Sequence, residues 1–125
     1  MVVSQARSRR KLTGGRYVAA NKKKSYSLGN LPTFTKIGEP SHKERRTRGG
    51  YPKLVSLSVN KANVFDKKSG KAKLVEIKTV VENPANRNFV RRNILTKGAI
   101  VETELGKAKI TSRPGQQGFL NAVLL

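Results

Sequence analysis

The 125-residue chain contains no cysteine, a single histidine (His42), a single aspartate (Asp66), and only 7 acidic residues in all. Without cysteine it forms neither a disulfide nor a thiolate metal site, and its redox compartment cannot be read from composition. No stretch approaches about 18 consecutive apolar residues and no heptad pattern is sustained, so neither a membrane span nor a basic amphipathic membrane helix is expected. No apolar segment follows the first basic residues, which excludes a secretory signal. Met1 to Gly38 is free of acids and holds several Arg and Ser, as a transit peptide does. The basic bias nevertheless continues along the whole chain, which a removable leader does not explain.

Enzyme chemistry is poorly provided for. His42 lies between basic neighbours, Lys43 and Arg45, with no obvious carboxylate to orient it. Asp66 sits in the lysine-rich turn Asp66-Lys67-Lys68-Ser69-Gly70-Lys71, where charge balancing accounts for it. Glu102 and Glu104 are two apart and would share a strand face, with Lys107 and Lys109 across a hairpin as partners. Neither G-x-x-x-x-G-K-[ST] nor G-x-G-x-x-G occurs, so no cofactor, metal or small-molecule substrate is expected. The residues predict no catalytic group.

What is present is positive charge: 27 Lys and Arg, a formal net charge of +20 and a pI near 11.1. A compact chain so charged repels itself unless a polyanion neutralises it, which points to nucleic acid. The charge divides unevenly. Residues 1–50 hold 13 Lys/Arg, 2 acids and 14 apolar residues, whereas residues 51–125 hold 31 apolar residues. The first part shows no sustained periodicity and is punctuated by Gly14-Gly15, Gly29, Pro32, Gly38, Pro40 and Gly49-Gly50. It reads as an extended basic arm that buries too little to offset chain entropy and stays disordered without a partner. Gly49-Gly50 reads as the hinge into the second part, with backbone amides able to approach phosphate.

Residues 51–125 read as strands. Val55, Leu57 and Val59 alternate with serines; a bend follows near Asn60-Lys61. Val75, Ile77, Thr79 and Val81 are expected on one face of a strand from Ala72 to Glu82. Asn83-Pro84 reads as a helix start, with a short helix over Pro84–Arg92. Two further strands flank Glu104-Leu105-Gly106, and Phe119–Leu125 makes the last. The expected fold is all-β: a small barrel or closed sandwich of five to six short strands with one short helix, preceded by the basic arm.

Four basic clusters stand out almost without compensating acids: Arg7, Arg9, Arg10 and Lys11; Lys22, Lys23 and Lys24; Lys43, Arg45, Arg46 and Arg48; and Arg87, Arg91 and Arg92. Arg87 and Arg91, at i and i+4, would share a helical face. Tyr17, Tyr26 and Phe34 are interleaved with the cations and are candidates for stacking on unpaired bases. No helix-turn-helix, zinc-finger or basic-zipper pattern favours duplex DNA, and an irregular basic arm suits folded RNA better. A general nucleic-acid chaperone or chromatin protein is the alternative that composition leaves open.

Longer motifs narrow this. Arg46-Thr47-Arg48-Gly49-Gly50, Val81-Glu82-Asn83-Pro84-Ala85-Asn86-Arg87 and Phe89-Val90-Arg91-Arg92-Asn93 resemble the small-subunit ribosomal protein family eight-e. So do Thr96-Lys97-Gly98, Glu102-Thr103-Glu104-Leu105-Gly106, Ser112-Arg113-Pro114-Gly115 and, in the arm, Thr13-Gly14-Gly15-Arg16. The resemblance covers nearly the whole chain, and the short length is similar to that of archaeal members. It implies a non-catalytic cytoplasmic protein of the small ribosomal subunit, bound to 16S-type ribosomal RNA beside other small-subunit proteins. Arg16, Gly49, Gly50 and Arg113 join the clusters as expected RNA contacts. A longer ribosome-biogenesis protein shares the C-terminal motifs and is the nearer alternative.

Overall fold

A computed structural model describes residues 3–4, 7–22 and 24–125; Lys23, one of the expected RNA contacts, lies outside the described residues. The chain forms two compact units, Met1–Pro32 and Thr33–Leu125.

In the first unit, β1 (Val3–Ser4) pairs antiparallel with β2 (Leu28–Gly29). Between them Arg10 and Arg16 form an isolated bridge around a tight turn, in which the Gly14 N–H donates to the Lys11 carbonyl at 3.0 Å. Gly14 has φ +83°, a left-handed conformation that glycine adopts without a Cβ clash. A single 3-10 turn follows at Ser25–Ser27. None of the side chains described here is buried, so the described residues of this unit form no apolar core.

The second unit carries β3 (Lys36–Ile37), β4 (Ser41–Arg46), β5 (Pro52–Val59), β6 (Lys61–Asp66), β7 (Lys71–Glu82), α1 (Asn88–Arg91), β8 (Ile100–Thr103), β9 (Gly106–Ile110) and β10 (Asn121–Leu124). Five strands close a barrel in the order β10-β6-β7-β8-β9; β10 runs parallel to β6 and the other pairings are antiparallel. The all-β barrel expected from the sequence is therefore present. Its interior holds Val64, Val75, Ile77, Val80, Leu95, Val101, Ile110 and Leu120, interspersed with Ala62, Ala99, Ala108 and Ala122. Small residues between branched ones let so few strands close without voids. Closure also leaves these strands no free edge.

Strand β7 departs from simple alternation. Val75, Ile77 and Val80 are buried, whereas Thr79 and Val81 face out. The pairing with β8 shifts register between Ile77 and Thr79 and again between Val80 and Glu82, and these bulges reverse the inward phase. Leu57 is likewise exposed while Val55 and Val59 of the same strand are buried, and β5 lies outside the barrel in a separate sheet of order β3-β5-β4. The bend is at Asn60, whose carbonyl accepts from the Ile77 N–H at 2.9 Å.

Residues 33–50 thus belong to the same compact unit as the barrel, through β3, parallel to β5, and β4, antiparallel to it. Strand β4 reads Ser-His-Lys-Glu-Arg-Arg and buries no residue. It is an edge strand held by backbone pairing, and its charges blunt that edge. Gly49-Gly50 forms the hairpin turn between β4 and β5, not a hinge between units. The Gly50 N–H donates to the Thr47 carbonyl at 3.1 Å, and the Thr47 N–H and hydroxyl both donate to the Tyr51 carbonyl. Both glycines have φ near +90°, where an L side chain is strained.

The helix is shorter than expected, Asn88–Arg91 in place of Pro84–Arg92. The buried Asn83 side chain explains this. Its Nδ2 donates to the Ile94 carbonyl at 3.1 Å, while its Oδ1 accepts from the Ala85 N–H at 3.1 Å and the Thr96 hydroxyl at 2.8 Å. These bonds shape Pro84–Arg87 into a turn tied to the segment beyond the helix.

Candidate nucleic-acid interface

The expected cations occupy several separate elements. In the Met1–Pro32 unit, Arg7, Arg9, Tyr17 and Lys22 line one open depression with Ser8, Ser27 and residues 18–21. The Arg7 guanidinium carbon lies 4.0 Å from the Tyr17 ring centroid and the Lys11 ammonium 5.5 Å away. Cation–π attraction therefore gathers two charges over one aromatic ring. Arg10 and Arg16 meet across the turn, where an Arg10 guanidinium N–H donates to the Gly14 carbonyl at 3.4 Å. Lys24 and Tyr26 are exposed at the 3-10 turn.

On β4, Lys43 stands opposite Val55 and Arg45 opposite Lys53, one face of the sheet; His42 and Arg46 project from the other, opposite Ser56 and Pro52. Arg46 reaches to the hairpin turn, its Nη2 lying 3.9 Å from where a Gly50 Cβ would be. Arg48 is exposed at the tip of that turn. The turn thus combines side-chain cations with glycine backbone that a phosphate can approach closely.

Arg87, at the start of α1, and Arg91, in its last turn, line a common depression with Val90, Val81, Glu82 and Asn83. The i, i+4 expectation holds for these two even though the helix is short. Arg92 projects toward a neighbouring aromatic pair: its guanidinium carbon is 5.6 Å from the Phe34 centroid, and Phe34 meets Phe89 edge-on at 5.7 Å and 70°. Arg113 is exposed on a further turn, where its carbonyl accepts from the Gln116 and Gln117 N–H groups. That turn is anchored to β5 by the Ser56 N–H donating to the Pro114 carbonyl at 3.1 Å and by Lys53 donating to Gln116 Oε1 at 2.6 Å.

Among the described residues the one ion pair joins Lys61 to Glu76 at 3.9 Å, both exposed. None of the cluster cations has a carboxylate partner there. Asp66 has its pKa lowered by the Lys68 N–H and then the Ser69 hydroxyl, which both donate to its carboxylate, so hydrogen bonds within the turn and not the expected charge balancing by lysine are its main interactions. Glu102 accepts from the Thr79 hydroxyl at 3.4 Å and stands opposite Lys107, whereas Glu104 lies in the turn and does not share its strand. The His42 Nδ1 is 3.4 Å from the Ser56 hydroxyl.

The Phe34–Phe89–Arg92 group and the Asn83 bonds that carry α1 had no signature in the sequence beyond the presence of an aromatic and the Asn-Pro pair. A left-handed backbone at phenylalanine, in particular, has no composition signal.

Comparison with known proteins identifies the family. The family described as "Ribosomal protein S8e" matches residues 4–125. A relative from Methanocorpusculum labreanum named small ribosomal subunit protein eS8 is 54% identical over 121 residues, 97% of each chain. Those of the same name from Methanobrevibacter smithii and Nanoarchaeum equitans are 50% identical over 125 residues (100% of each chain) and 52% over 121 (97% of this chain, 95% of the relative). Full-length similarity at this level leaves no doubt of kinship: the chain belongs to the ribosomal protein S8e family.

Proposed function

We propose that the chain is a structural, non-enzymatic constituent of the cytoplasmic small ribosomal subunit that binds and stabilises 16S-type ribosomal RNA, beside other small-subunit proteins. The observation that carries this reading is the unpaired charge: a net +20 with the cluster cations, all but the half-buried Arg45, exposed and none with a carboxylate partner among the described residues. Each such cation that meets a phosphate releases condensed counterions, which favours the complex. Arginine forks give bidentate phosphate contacts and lysines softer point charges.

The two units contribute differently. The Thr33–Leu125 unit has a packed interior and presents Arg46, Arg48, Arg87, Arg91 and Arg113 from fixed elements, so it anchors. The Met1–Pro32 unit buries none of its described side chains and orders fully only among RNA phosphates. Bringing phosphates of different RNA helices onto one chain lowers their mutual repulsion and stabilises the folded RNA.

Sedimentation of a cell lysate, with and without ribonuclease, tests the reading. The expected result is co-migration of the protein with small subunits that is lost on RNA digestion. Migration as a free protein in undigested lysate would overturn it.

A further inference from the structure

We infer that Phe34 is a stacking platform for one unpaired RNA base, with Phe89 setting its orientation and Arg92 flanking it. The inference rests on the RNA-binding reading above and deepens it to a single subsite.

Three observations point here. First, among the described residues only two that are not glycine have positive φ, Phe34 at +48° and Asn93 at +49°. A bulky aromatic seldom adopts this conformation, and such outliers persist only where neighbours hold them. Both lie on segments that are fastened together: the Leu95 N–H donates to the Thr35 carbonyl at 2.8 Å, the Ile37 N–H to the Asn93 carbonyl at 3.4 Å, and Lys36 bridges Ile94. The buried Thr35 hydroxyl adds a bond to the Ser56 carbonyl at 2.7 Å. The backbone is thus over-determined immediately after Phe34.

Second, Phe34 is 39% exposed although Phe89 packs beside it. Phe89 meets it at 70°, an edge-to-face contact that orients the two rings without laying one flat on the other as parallel stacking would.

Third, Arg92 stands off. On Tyr17 the Arg7 guanidinium is in direct contact at 4.0 Å and covers that face; on Phe34 the Arg92 guanidinium is 5.6 Å from the centroid. A base between two planes needs about 7 Å, twice the roughly 3.4 Å stacking repeat of nucleic acid. The exposed Arg92 side chain can move aside to admit it, and its charge then lies over the base or on the adjoining phosphate. Every base has a π-face, so the subsite selects an unstacked nucleotide and not a sequence.

The chain has no tryptophan, so Phe34→Trp in the full-length protein is a unique fluorescent reporter. Titration with small-subunit ribosomal RNA should quench this fluorescence, while a fully paired duplex bound through charge should not. Phe34→Leu should weaken binding to that RNA roughly tenfold, at an unchanged log–log salt slope, because stacking releases no counterions. Phe34→Tyr should bind like the wild type, which separates stacking from a merely structural role. Unquenched Phe34→Trp at saturating RNA, or Phe34→Leu within twofold of the wild type, overturns the inference. Absence of RNA binding by the wild type would instead remove the functional reading beneath it.

Discussion

Leu54 on β5 fills the space beside Gly118: a Cβ on the glycine would stand 2.9 Å from Leu54 Cγ and 3.1 Å from Leu54 Cβ. Those atoms are near the backbone and cannot swing aside as a chain end can. The contact seats the turn that carries Arg113 against the β4–β5 sheet. Gly118→Ala should therefore destabilise the protein by about 1–3 kcal/mol through overpacking. Chemical denaturation of the single variants and the double variant measures it. Leu54→Ala should recover a large part of the loss in the Gly118→Ala background; additive losses would show that the two residues do not collide.

Asn83 joins the end of β7 to the segment after α1 through three hydrogen bonds from a buried side chain. Asn83→Ala leaves the Ile94 carbonyl, the Ala85 N–H and the Thr96 hydroxyl without that partner. The expected cost is about 1–3 kcal/mol in denaturant unfolding. Because Arg87 and Arg91 border the same turn, RNA affinity at temperatures where the variant remains folded should also fall. A variant of unchanged stability would mean that water replaces the side chain completely.

These two sites show what was legible before the structure. Alternating residues such as Val75 and Ile77 declared a barrel strand because one face is buried. Strand β4 declared nothing: Ser41–Arg46 packs neither face on the barrel core, so backbone pairing to β5 alone makes it a strand, and pairing leaves no mark on side-chain pattern. The same holds for the bulges that put Val80 inside and Val81 outside, which are set by β8 across the ladder. The basic residues themselves were plain in the composition. Their grouping was legible only where it is local, as for Arg87 and Arg91. The approach of Phe34 to Phe89 and Arg92, residues distant in sequence, depends on the fastening of Thr35 to Leu95 and could not be read from either stretch.

Binding to 16S-type RNA should depend steeply on salt. With about eight phosphates contacted, the slope of log K against log salt is expected to be on the order of −6 to −7. Replacing Arg87 and Arg91 together by alanine should reduce its magnitude by about 1.5. Their side chains are exposed, so the unfolding midpoint should hardly move. Filter binding across a salt series provides the slopes. A slope near zero for the wild type is incompatible with phosphate neutralisation.

Asp66 makes a small, signed prediction about pH. Its carboxylate accepts from the Lys68 N–H and the Ser69 hydroxyl, which lower its pKa from 3.8. A folded-state pKa below the unfolded value means that the ionised group's contribution is complete above the unfolded pKa and is lost as pH falls through the folded one. Wild type should therefore exceed Asp66→Asn in stability at neutral pH, with the difference shrinking below pH 3.8. Asp66 is half-buried in a surface turn and bonds only within it, so the effect is confined to this turn. Paired thermal melts at neutral and acid pH test the sign; a difference that grows on acidification would refute it.

The last prediction separates the two units. The Thr33–Leu125 unit contains the barrel interior, so its amides in the free full-length protein should be dispersed and slow to exchange at the core strands. The residues described at 7–22 and 24–32 bury no side chain, and their few backbone bonds face solvent. Their amides should cluster in a narrow shift range and exchange fast. Strand β4 is the informative case between these extremes. If its pairing with β5 suffices without RNA, the Ser41–Arg46 amides should be dispersed with the barrel even though their side chains are exposed and charged. On addition of small-subunit RNA, broad changes should appear before Pro32, while the barrel interior should stay unperturbed. An arm as dispersed and protected as the barrel in the absence of RNA would show that it orders itself, and the division of labour between anchor and arm would have to be abandoned.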